Sequence, residues 1–199
     1  NMLSKLIDSA QKENRQHALI YVDLDQFKLI NDTCGHAAGD ELLVEATSII
    51  KTVFRSSDVC ARVGADEFGI LLRDTGQDMA LNIARRLHTR LAERKLSWGA
   101  TSFNINSSVG LVMINKESKD IHSVLAAADD ATFLAKEEGG KRIKLYETSD
   151  NLFLKRRGEM QWVAKLSKAL DENRFALYYQ PIVSLSEKPH HEDYKGELL

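Results

Sequence analysis

The sequence has little cysteine, no long hydrophobic run and almost no net charge. Its two cysteines, Cys34 and Cys60, lack the spacing of metal ligands, so we expect reduced thiols at buried or half-buried positions, as in the cytoplasm. No apolar run approaches the roughly 18 residues of a membrane span, and no signal peptide is visible, although an anchor or sensor outside this stretch stays open. The net charge of -2 argues against the basic surface that duplex nucleic acid requires.

The composition is that of a globular protein, with 43% hydrophobic and 28% charged residues among 199. This length accommodates one domain plus a fragment, or two small domains. Apolar periodicity predicts helices over 2–15, 26–31, 40–55, 77–92 and 121–138, and strands over 18–22, 59–63, 68–72, 101–114 and 142–146. We therefore expect an α+β fold in which helices flank a sheet that contains antiparallel strands.

Carboxylates cluster at two places where predicted strands end. Asp23 follows a buried strand, and Asp66 and Glu67 lie in the turn of a predicted hairpin. If these strands are neighbours in one sheet, Asp23 and Asp66 converge, and with the Leu24 carbonyl they offer the hard oxygen ligands that Mg²⁺ prefers. The simpler alternative is a solvated acidic turn without a ligand.

Polar side chains suited to a nucleotide follow the first carboxylate. Lys28 lies one helical turn further on, where its ammonium would meet a phosphate. Asn31 and Asp40 offer the amide and the carboxylate that read a guanine edge. These residue types together indicate metal-assisted phosphoryl or nucleotidyl transfer.

Glycines mark two further structural positions. Gly139 and Gly140 end the predicted helix 121–138, as C-cap glycines do. Gly110 lies inside a predicted strand, which indicates a bulge or the close approach of another backbone segment.

Three motifs then occur in order: Asp23-x-Asp25-x-Phe27-Lys28-x-x-Asn31-Asp32, Gly35-His36-x-x-Gly39-Asp40 and Arg62-x-Gly64-Ala65-Asp66-Glu67-Phe68. Over about residues 1–147, their order and spacing resemble the GGDEF domain of diguanylate cyclases. The resemblance implies a nucleotidyl-cyclase palm-like fold, with a ferredoxin-like central sheet flanked by helices. It also implies that two GTP molecules are condensed into cyclic di-GMP with Mg²⁺ (or Mn²⁺), in a site shared across a homodimer.

The resemblance implies a role for each matching residue. In the substrate site, Asp23, Leu24 and Asp66 would bind metal, and Asp66 and Glu67 would be the catalytic acids. Lys28 and Lys136 would contact phosphates, and Asn31 and Asp40 would read guanine. Arg55 and Asp58 match the family's Arg-x-x-Asp inhibitory site for cyclic di-GMP, with Arg86 as a helper. An arginine suits this ligand because its guanidinium stacks on guanine and donates two hydrogen bonds to a phosphate. The alternative is an arginine that ends a helix and an aspartate in a turn.

Two positions depart from the family pattern. Ala65 stands where the family has its second glycine, and its Cβ would clash near the triphosphate or force the backbone out of positive φ, at about 1 kcal/mol or more. Gly140 stands where the family has an arginine for the terminal phosphate, although Lys141 and Arg142 are adjacent substitutes. We therefore expect GTP or GDP to bind with Mg²⁺ while turnover is slow or absent.

The sequence changes character after residue 147. Residues 148–174 have the pattern of a linker helix, and 175–199 resemble the start of an EAL domain, the cyclic di-GMP phosphodiesterase family. In that resemblance Glu197 is a metal ligand and Gln180 lies near the substrate. The other carboxylates and the lysine of that domain are absent, so we expect no hydrolysis from this chain by itself.

Three functions stay open on these observations. The first is an enzyme that makes cyclic di-GMP from GTP. The second is a degenerate GGDEF domain that binds GTP or cyclic di-GMP and regulates a downstream EAL phosphodiesterase. The third is a structural dimerisation unit, against which the intact acidic and amide residues argue. Ala65 and Gly140 separate the first function from the second.

Overall fold

A computed structural model describes residues 2–99 and 101–147, together with residues 166, 168–170, 172, 179–182 and 195–198. The chain divides into two compact units, Asn1–Phe153 and Leu154–Leu199. The first unit carries these elements in chain order: α1 (Met2–Glu13), β1 (His17–Leu24), α2 (Phe27–Cys34), α3 (His36–Val53), β2 (Val59–Arg62), β3 (Glu67–Leu72), α4 (Gln77–Glu93), β4 (Lys95–Trp98), β5 (Thr101–Asn104), β6 (Ser107–Ile114), α5 (Ile121–Glu137) and β7 (Ile143–Leu145).

A five-stranded sheet with the order β2-β3-β1-β6-β7 forms the centre of this unit. β1 pairs antiparallel with β3 and with β6, β2 pairs antiparallel with β3, and β7 runs parallel to β6. β1 is central because its residues are apolar on both faces, and all but Tyr21 are buried. The parallel pair needs a crossover connection, which α5 supplies.

Helices cover both faces of the sheet. One face of β1, with Ile20 and Val22, belongs to a core shared with α2, α3 and α4. The other face, with Leu19 and Tyr21, packs on a smaller core with α1 and α5. Side chains alternate between the two faces because successive residues of a strand point in opposite directions. The predicted α+β fold with helices flanking the sheet is confirmed.

The prediction of one strand over 101–114 is wrong. The structure divides this stretch into β5 and β6, and β5 pairs with β4 in a separate hairpin that the sequence reasoning missed. Ile105, between the two strands, is 1% exposed, and its N–H donates to the carbonyl of Arg94 at 3.2 Å. The available signal was Gly99, whose φ of 58° suits the hairpin turn.

The helix predicted from residue 40 begins earlier, at His36. Gly35 alone separates α2 from α3, with a φ of 84°, and its N–H donates to the carbonyl of Asn31 at 2.9 Å. The gap between the predicted helices 26–31 and 40–55 is therefore reduced to one residue, because a glycine at positive φ ends a helix within a single position.

The two cysteines differ in exposure. Cys34 is half-buried, as predicted, but Cys60 is exposed, so the prediction is wrong at that position. Cys60 lies on β2, the edge strand of the sheet, where Ala61 and Arg62 are exposed as well. An apolar residue type did not indicate burial here because the strand lies at the edge of the sheet.

The second unit is described only in part. β8 (Tyr179–Ile182) and β9 (Lys195–Leu198) pair antiparallel, with Gln180 opposite Glu197. Both strands lie in the stretch 175–199 that resembles the start of an EAL domain, whereas most of the predicted linker helix 148–174 lies outside the described residues. Within the described ranges, no helix is long and apolar enough to cross a membrane.

Candidate active site

Strand pairing brings the two predicted carboxylate clusters to one edge of the sheet. The antiparallel register of β1 and β3 places Asp23 directly opposite Glu67. The N–H of Leu24 donates to the carbonyl of Asp66 at 3.1 Å, which ties the end of β1 to the hairpin turn. The predicted convergence of the two clusters is confirmed.

The hairpin turn holds its shape without the positive φ that we expected. Neither Gly64 nor Ala65 is among the residues with positive φ, so the Cβ of Ala65 costs no backbone strain and that part of the expectation is wrong. Arg62 holds the turn instead, donating to the carbonyls of Gly64 at 3.1 Å and Ala65 at 2.7 Å. A Cβ at Gly64 would overlap the carboxylate of Glu67, so a larger residue there would require the Glu67 side chain to move.

A cavity of about 440 Å³ opens at this edge. Its lining contains all of the predicted metal and phosphate ligands: Asp23, Leu24, Lys28, Asp66 and Lys136. It also contains Asp25, to which the sequence reasoning gave no role, and Gly140 and Lys141, of which Lys141 was named as a substitute for the family's arginine. Acidic and basic side chains therefore share one open space large enough for phosphate groups.

Asp23 is the electrostatic centre of the cavity. It is 5% exposed, and its Oδ2 accepts from the ammonium of Lys136 at 2.5 Å. Its Oδ1 is buried and has no hydrogen-bond partner among the residues that the structure describes. Burial raises the pKa of Asp23 above its usual value, the Lys136 ammonium opposes this rise, and the negative charges of Asp66 and Glu67 add to it. The single ammonium of Lys136 thus does not offset the burial of this carboxylate and the two negative charges near it.

The described residues include no group of three His, Cys, Asp or Glu side chains that could enclose a metal ion. The oxygen atoms that were predicted to bind a metal belong to the buried carboxylate of Asp23, the carboxylate of Asp66 and the Leu24 carbonyl, and these three residues line the cavity. Such an incomplete set suits Mg²⁺, which usually keeps positions for water and substrate phosphates.

The N-terminus of α2 also faces the cavity. Gln26, its N-cap residue, has a φ of 62° and makes no side-chain hydrogen bond to the helix. Phe27 and Lys28, the first helical residues, line the cavity. Because the first N–H groups of a helix have no intrahelical acceptors, this end of α2 favours an anion.

The predicted guanine readers, Asn31 and Asp40, are not among the residues that line this cavity. Gly39 packs so closely on Asn31 that a Cβ at Gly39 would overlap the Asn31 side-chain oxygen. Asp40 follows Gly39 and lines a neighbouring cavity of about 500 Å³, together with Arg62 of the hairpin. The structure thus separates the predicted base site from the predicted phosphate site.

Arg55 and Asp58 form a closed turn. The Arg55 N–H donates to Oδ2 of Asp58 at 3.0 Å, and the Asp58 N–H donates to the Arg55 carbonyl at 3.0 Å. Both residues line a separate cavity of about 170 Å³. Arg86, the predicted helper, instead donates to the carbonyl of Val53 at 2.5 Å, at the end of α3.

Tyr21 is a titratable residue near the acidic cluster to which the sequence reasoning gave no role. It lies on the same face of β1 as Asp23, and burial, followed by the charge of Glu67, raises its pKa to about 12. The register places Gly69 on one side of Tyr21 and Gly110 on the other. The available signal was the two-residue spacing from Asp23, which puts both side chains on one face.

The close approach predicted at Gly110 is confirmed, and it positions α5. A Cβ at Gly110 would lie 2.5 Å from Oγ1 of Thr132 and 2.7 Å from the Ala128 carbonyl, both on α5. The helix can therefore lie directly on β6, and its last turn brings Lys136 to Asp23. Gly139 and Gly140, at φ of 109° and 66°, follow the end of α5 as expected.

Solved structures with this fold are GGDEF domains. The GGDEF domain of PA1120 (TpbB or YfiN) from Pseudomonas aeruginosa has a TM-score of 0.72 at 30% identity, covering 77% of this chain and 90% of that one. The GGDEF domain of DgcB from Caulobacter crescentus, in complex with c-di-GMP, has a TM-score of 0.69 at 25% identity, covering 74% and 87%. The fold is that of a palm-like cyclase domain.

The family follows from the sequence comparison. The family model for the diguanylate cyclase GGDEF domain matches residues 1–142, and the chain belongs to this family. The probable diguanylate cyclase DgcE of Escherichia coli is 37% identical over 142 residues, 71% of this chain and 13% of that protein. The cyclic di-GMP phosphodiesterase PdeB of Shewanella oneidensis is 31% identical over 171 residues, 86% of this chain and 20% of that protein. Membership associates the chain with cyclic di-GMP signalling.

Proposed function

We propose that the first unit binds GTP with Mg²⁺ and condenses two GTP molecules into cyclic di-GMP. The observation that carries the proposal is the cavity at the sheet edge, in which carboxylates suited to a metal and lysines suited to phosphates line one space. Membership of residues 1–142 in the diguanylate cyclase family supports it. Turnover is limited by the Cβ of Ala65, which lies in the turn beside Asp66.

The ligands around Asp23 fit a divalent cation. One carboxylate oxygen is buried without a partner in the described part of the chain, and the other accepts a hydrogen bond from the ammonium of Lys136, so this group already binds positive charge. The Leu24 carbonyl and Asp66 add oxygen ligands of the kind that Mg²⁺ (or Mn²⁺) prefers. A bound metal would polarise the α-phosphate and lower the pKa of the attacking 3′-hydroxyl.

The protein residues bind and orient the nucleotide. Lys28, Lys136 and the N–H groups at the start of α2 bind phosphates, since cationic groups and helix N-termini both favour anions. Asn31 and Asp40 read the guanine edge. Asp66 and Glu67 are the catalytic acids, and Asp66 accepts the proton of the 3′-hydroxyl. Because the product contains two guanosines and one chain supplies one substrate site, two chains face each other in a homodimer.

Labelled GTP and Mg²⁺ with the full chain test this function. We expect bound GTP and a cyclic di-GMP product separable by chromatography. Asp66→Asn keeps the shape of the side chain and should retain nucleotide while losing product, whereas Asp78→Asn, an exposed position on α4, should change neither. A parent chain that binds no GTP refutes the proposal, and binding without product favours a regulatory domain.

A second candidate function is a regulator that binds cyclic di-GMP and controls an EAL phosphodiesterase. Two observations favour it: the cavity that Arg55 and Asp58 share, and the pairing of Gln180 with Glu197 in the stretch that resembles an EAL domain. Titration with cyclic di-GMP distinguishes the site: Arg55→Ala should weaken binding, and Arg85→Ala, an exposed position on α4, should not. Equal affinity in the parent and Arg55→Ala removes this site.

A further inference from the structure

We propose that the ammonium of Lys136 occupies the metal position at Asp23 and competes with the divalent cation until a nucleotide phosphate binds this ammonium. The two side chains form an ion pair in the cavity at the sheet edge. The proposal rests on the function above and deepens it, because it gives Lys136 a role in metal binding as well as in phosphate binding. Metal alone then binds weakly, and metal and nucleotide bind cooperatively.

Asp23 has one carboxylate oxygen that a cation from the cavity can reach. Oδ1 is buried, without a hydrogen-bond partner in the described part of the chain, so it adds negative charge but is not accessible. Oδ2 accepts from Nζ of Lys136 at 2.5 Å. The Asp23 side chain is 8% exposed, whereas the Lys136 side chain is 45% exposed. The ammonium therefore covers Oδ2 from the outside, and a metal ion that binds Oδ2 has to displace it.

A singly charged ammonium leaves an excess of negative charge at this edge. The register places Glu67 opposite Asp23, and the hydrogen bond from the Leu24 N–H ties Asp66 to the same end of β1. The negative charges of Asp66 and Glu67 both act on Asp23. A divalent cation is attracted by these carboxylates more strongly than an ammonium is, but it first has to break the ion pair of Lys136.

The ammonium can leave Asp23 without any movement of the backbone. Lys136 lies in the last turn of α5, and its carbonyl accepts from the Gly139 N–H at 3.0 Å, which fixes this part of the chain. The side chain itself is a flexible four-carbon stem that ends in a rotatable ammonium. Rotation of this side chain therefore moves the charge from Asp23 into the cavity that Lys136 lines.

A bound nucleotide supplies the second partner for this ammonium. Lys28 and the start of α2 face the same cavity, so phosphates that bind there lie in the space that Lys136 also lines. An ammonium that pairs with such a phosphate leaves Oδ2 of Asp23 to the metal. Because binding free energies are linked, the nucleotide strengthens metal binding and the metal strengthens nucleotide binding by the same factor.

The first test measures metal without nucleotide. The full chain is titrated with Mn²⁺ at about pH 8, which keeps carboxylates ionised, and the free ion is measured by electron paramagnetic resonance. Lys136→Met should bind Mn²⁺ roughly tenfold more tightly than the parent, since one competing charge-assisted hydrogen bond is lost. Lys136→Gln should also bind it more tightly, and this variant keeps a hydrogen-bond donor for Asp23 if the methionine impairs folding.

Lys141→Met is the matched control, because it removes the same charge from the wall of the same cavity. A general effect of charge would give it the same gain as Lys136→Met, whereas competition at Asp23 predicts a much smaller gain. Adding Asp23→Asn to Lys136→Met should abolish the gain, which assigns the metal to Asp23. If neither Lys136 variant binds Mn²⁺ more tightly than Lys141→Met does, the ammonium does not compete and the proposal is wrong.

The second test measures the coupling to nucleotide. Titration with Mn²⁺ is repeated with saturating 3′-deoxy-GTP, which lacks the attacking hydroxyl and cannot be condensed. The nucleotide should strengthen Mn²⁺ binding by a factor roughly tenfold larger in the parent than in Lys136→Met. Equal factors overturn the coupling while the proposed function stands. A parent chain that binds no nucleotide refutes the proposed function and the coupling with it, whereas the competition at Asp23 is decided by the titration with metal alone.

Discussion

Replacing Gly110 by alanine should destabilise the first unit by displacing α5 from the sheet. The added Cβ would lie 2.7 Å from the Ala128 carbonyl, about 0.7 Å closer than the 3.4 Å at which ordinary contacts begin, and 3.0 Å from the Thr132 nitrogen. Both atoms belong to the backbone of α5, so no rotation of a side chain relieves the clash. The whole helix must move.

The expected loss follows from the overpacking. Inserting a methyl group into a close-packed site costs about 1–3 kcal/mol, and the reduced entropy of the unfolded chain offsets about 0.4–1 kcal/mol of this. A net loss of about 1–2 kcal/mol corresponds to a decrease in Tm of roughly 2–8 °C for a domain of this size. Thermal and urea unfolding, followed by circular dichroism, measure both quantities.

Gly69→Ala is a matched control for Gly110→Ala. Gly69 and Gly110 flank the same residue, Tyr21, on the two neighbouring strands, but the nearest atom to a Cβ at Gly69 is a side-chain carbon of Val63 at 3.5 Å. Gly69→Ala should therefore leave the free energy of unfolding unchanged or raise it. If Gly110→Ala is as stable as the parent, or if both variants lose the same stability, the close approach of α5 does not limit this position.

Three further predictions concern charge and turn geometry. Burial raises the pKa of Asp23 in the folded state, so the protein loses stability as the pH rises above 3.8, the pKa of this group in the unfolded chain. Asp23→Asn should therefore be more stable than the parent at pH 7, but not below about pH 3.5. Mg²⁺ should raise the Tm of the parent and not that of Asp23→Asn. Burial lowers the pKa of His17 in the folded state, where its Nδ1 accepts from the Asp74 N–H at 2.9 Å. The parent should therefore lose stability as the pH falls below 6.5, the ordinary pKa of histidine, and His17→Gln should lose less stability over the same pH range. Ala65→Gly should lower the free energy of unfolding by about 0.4–1 kcal/mol, because glycine adds entropy to the unfolded chain, yet increase cyclic di-GMP formation; an equal or lower rate contradicts the steric role of Ala65.

The sequence predicted the α+β class, the convergence of Asp23 with Asp66 and the close approach at Gly110. These predictions succeeded because they depend on local patterns, such as an apolar run that ends in a carboxylate or a glycine inside a strand. The separate β4-β5 hairpin was missed, since alternation through 101–114 looks the same whether the chain continues straight or turns at Ile105. The exposure of Cys60 was missed for a related reason, because strand order, and not residue type, made β2 the edge.

The sequence by itself determined which chemical groups this protein has: carboxylates after a buried strand, lysines and amides at the spacing of the GGDEF family, and alanine in the acidic turn. Only the tertiary structure decided how these groups are paired. Lys136 meets Asp23 across 113 residues, and Lys141 meets Asp25 across 116. The crossover of α5 produces both contacts, and since burial and ion pairing depend on atoms from distant elements, no local pattern contains them.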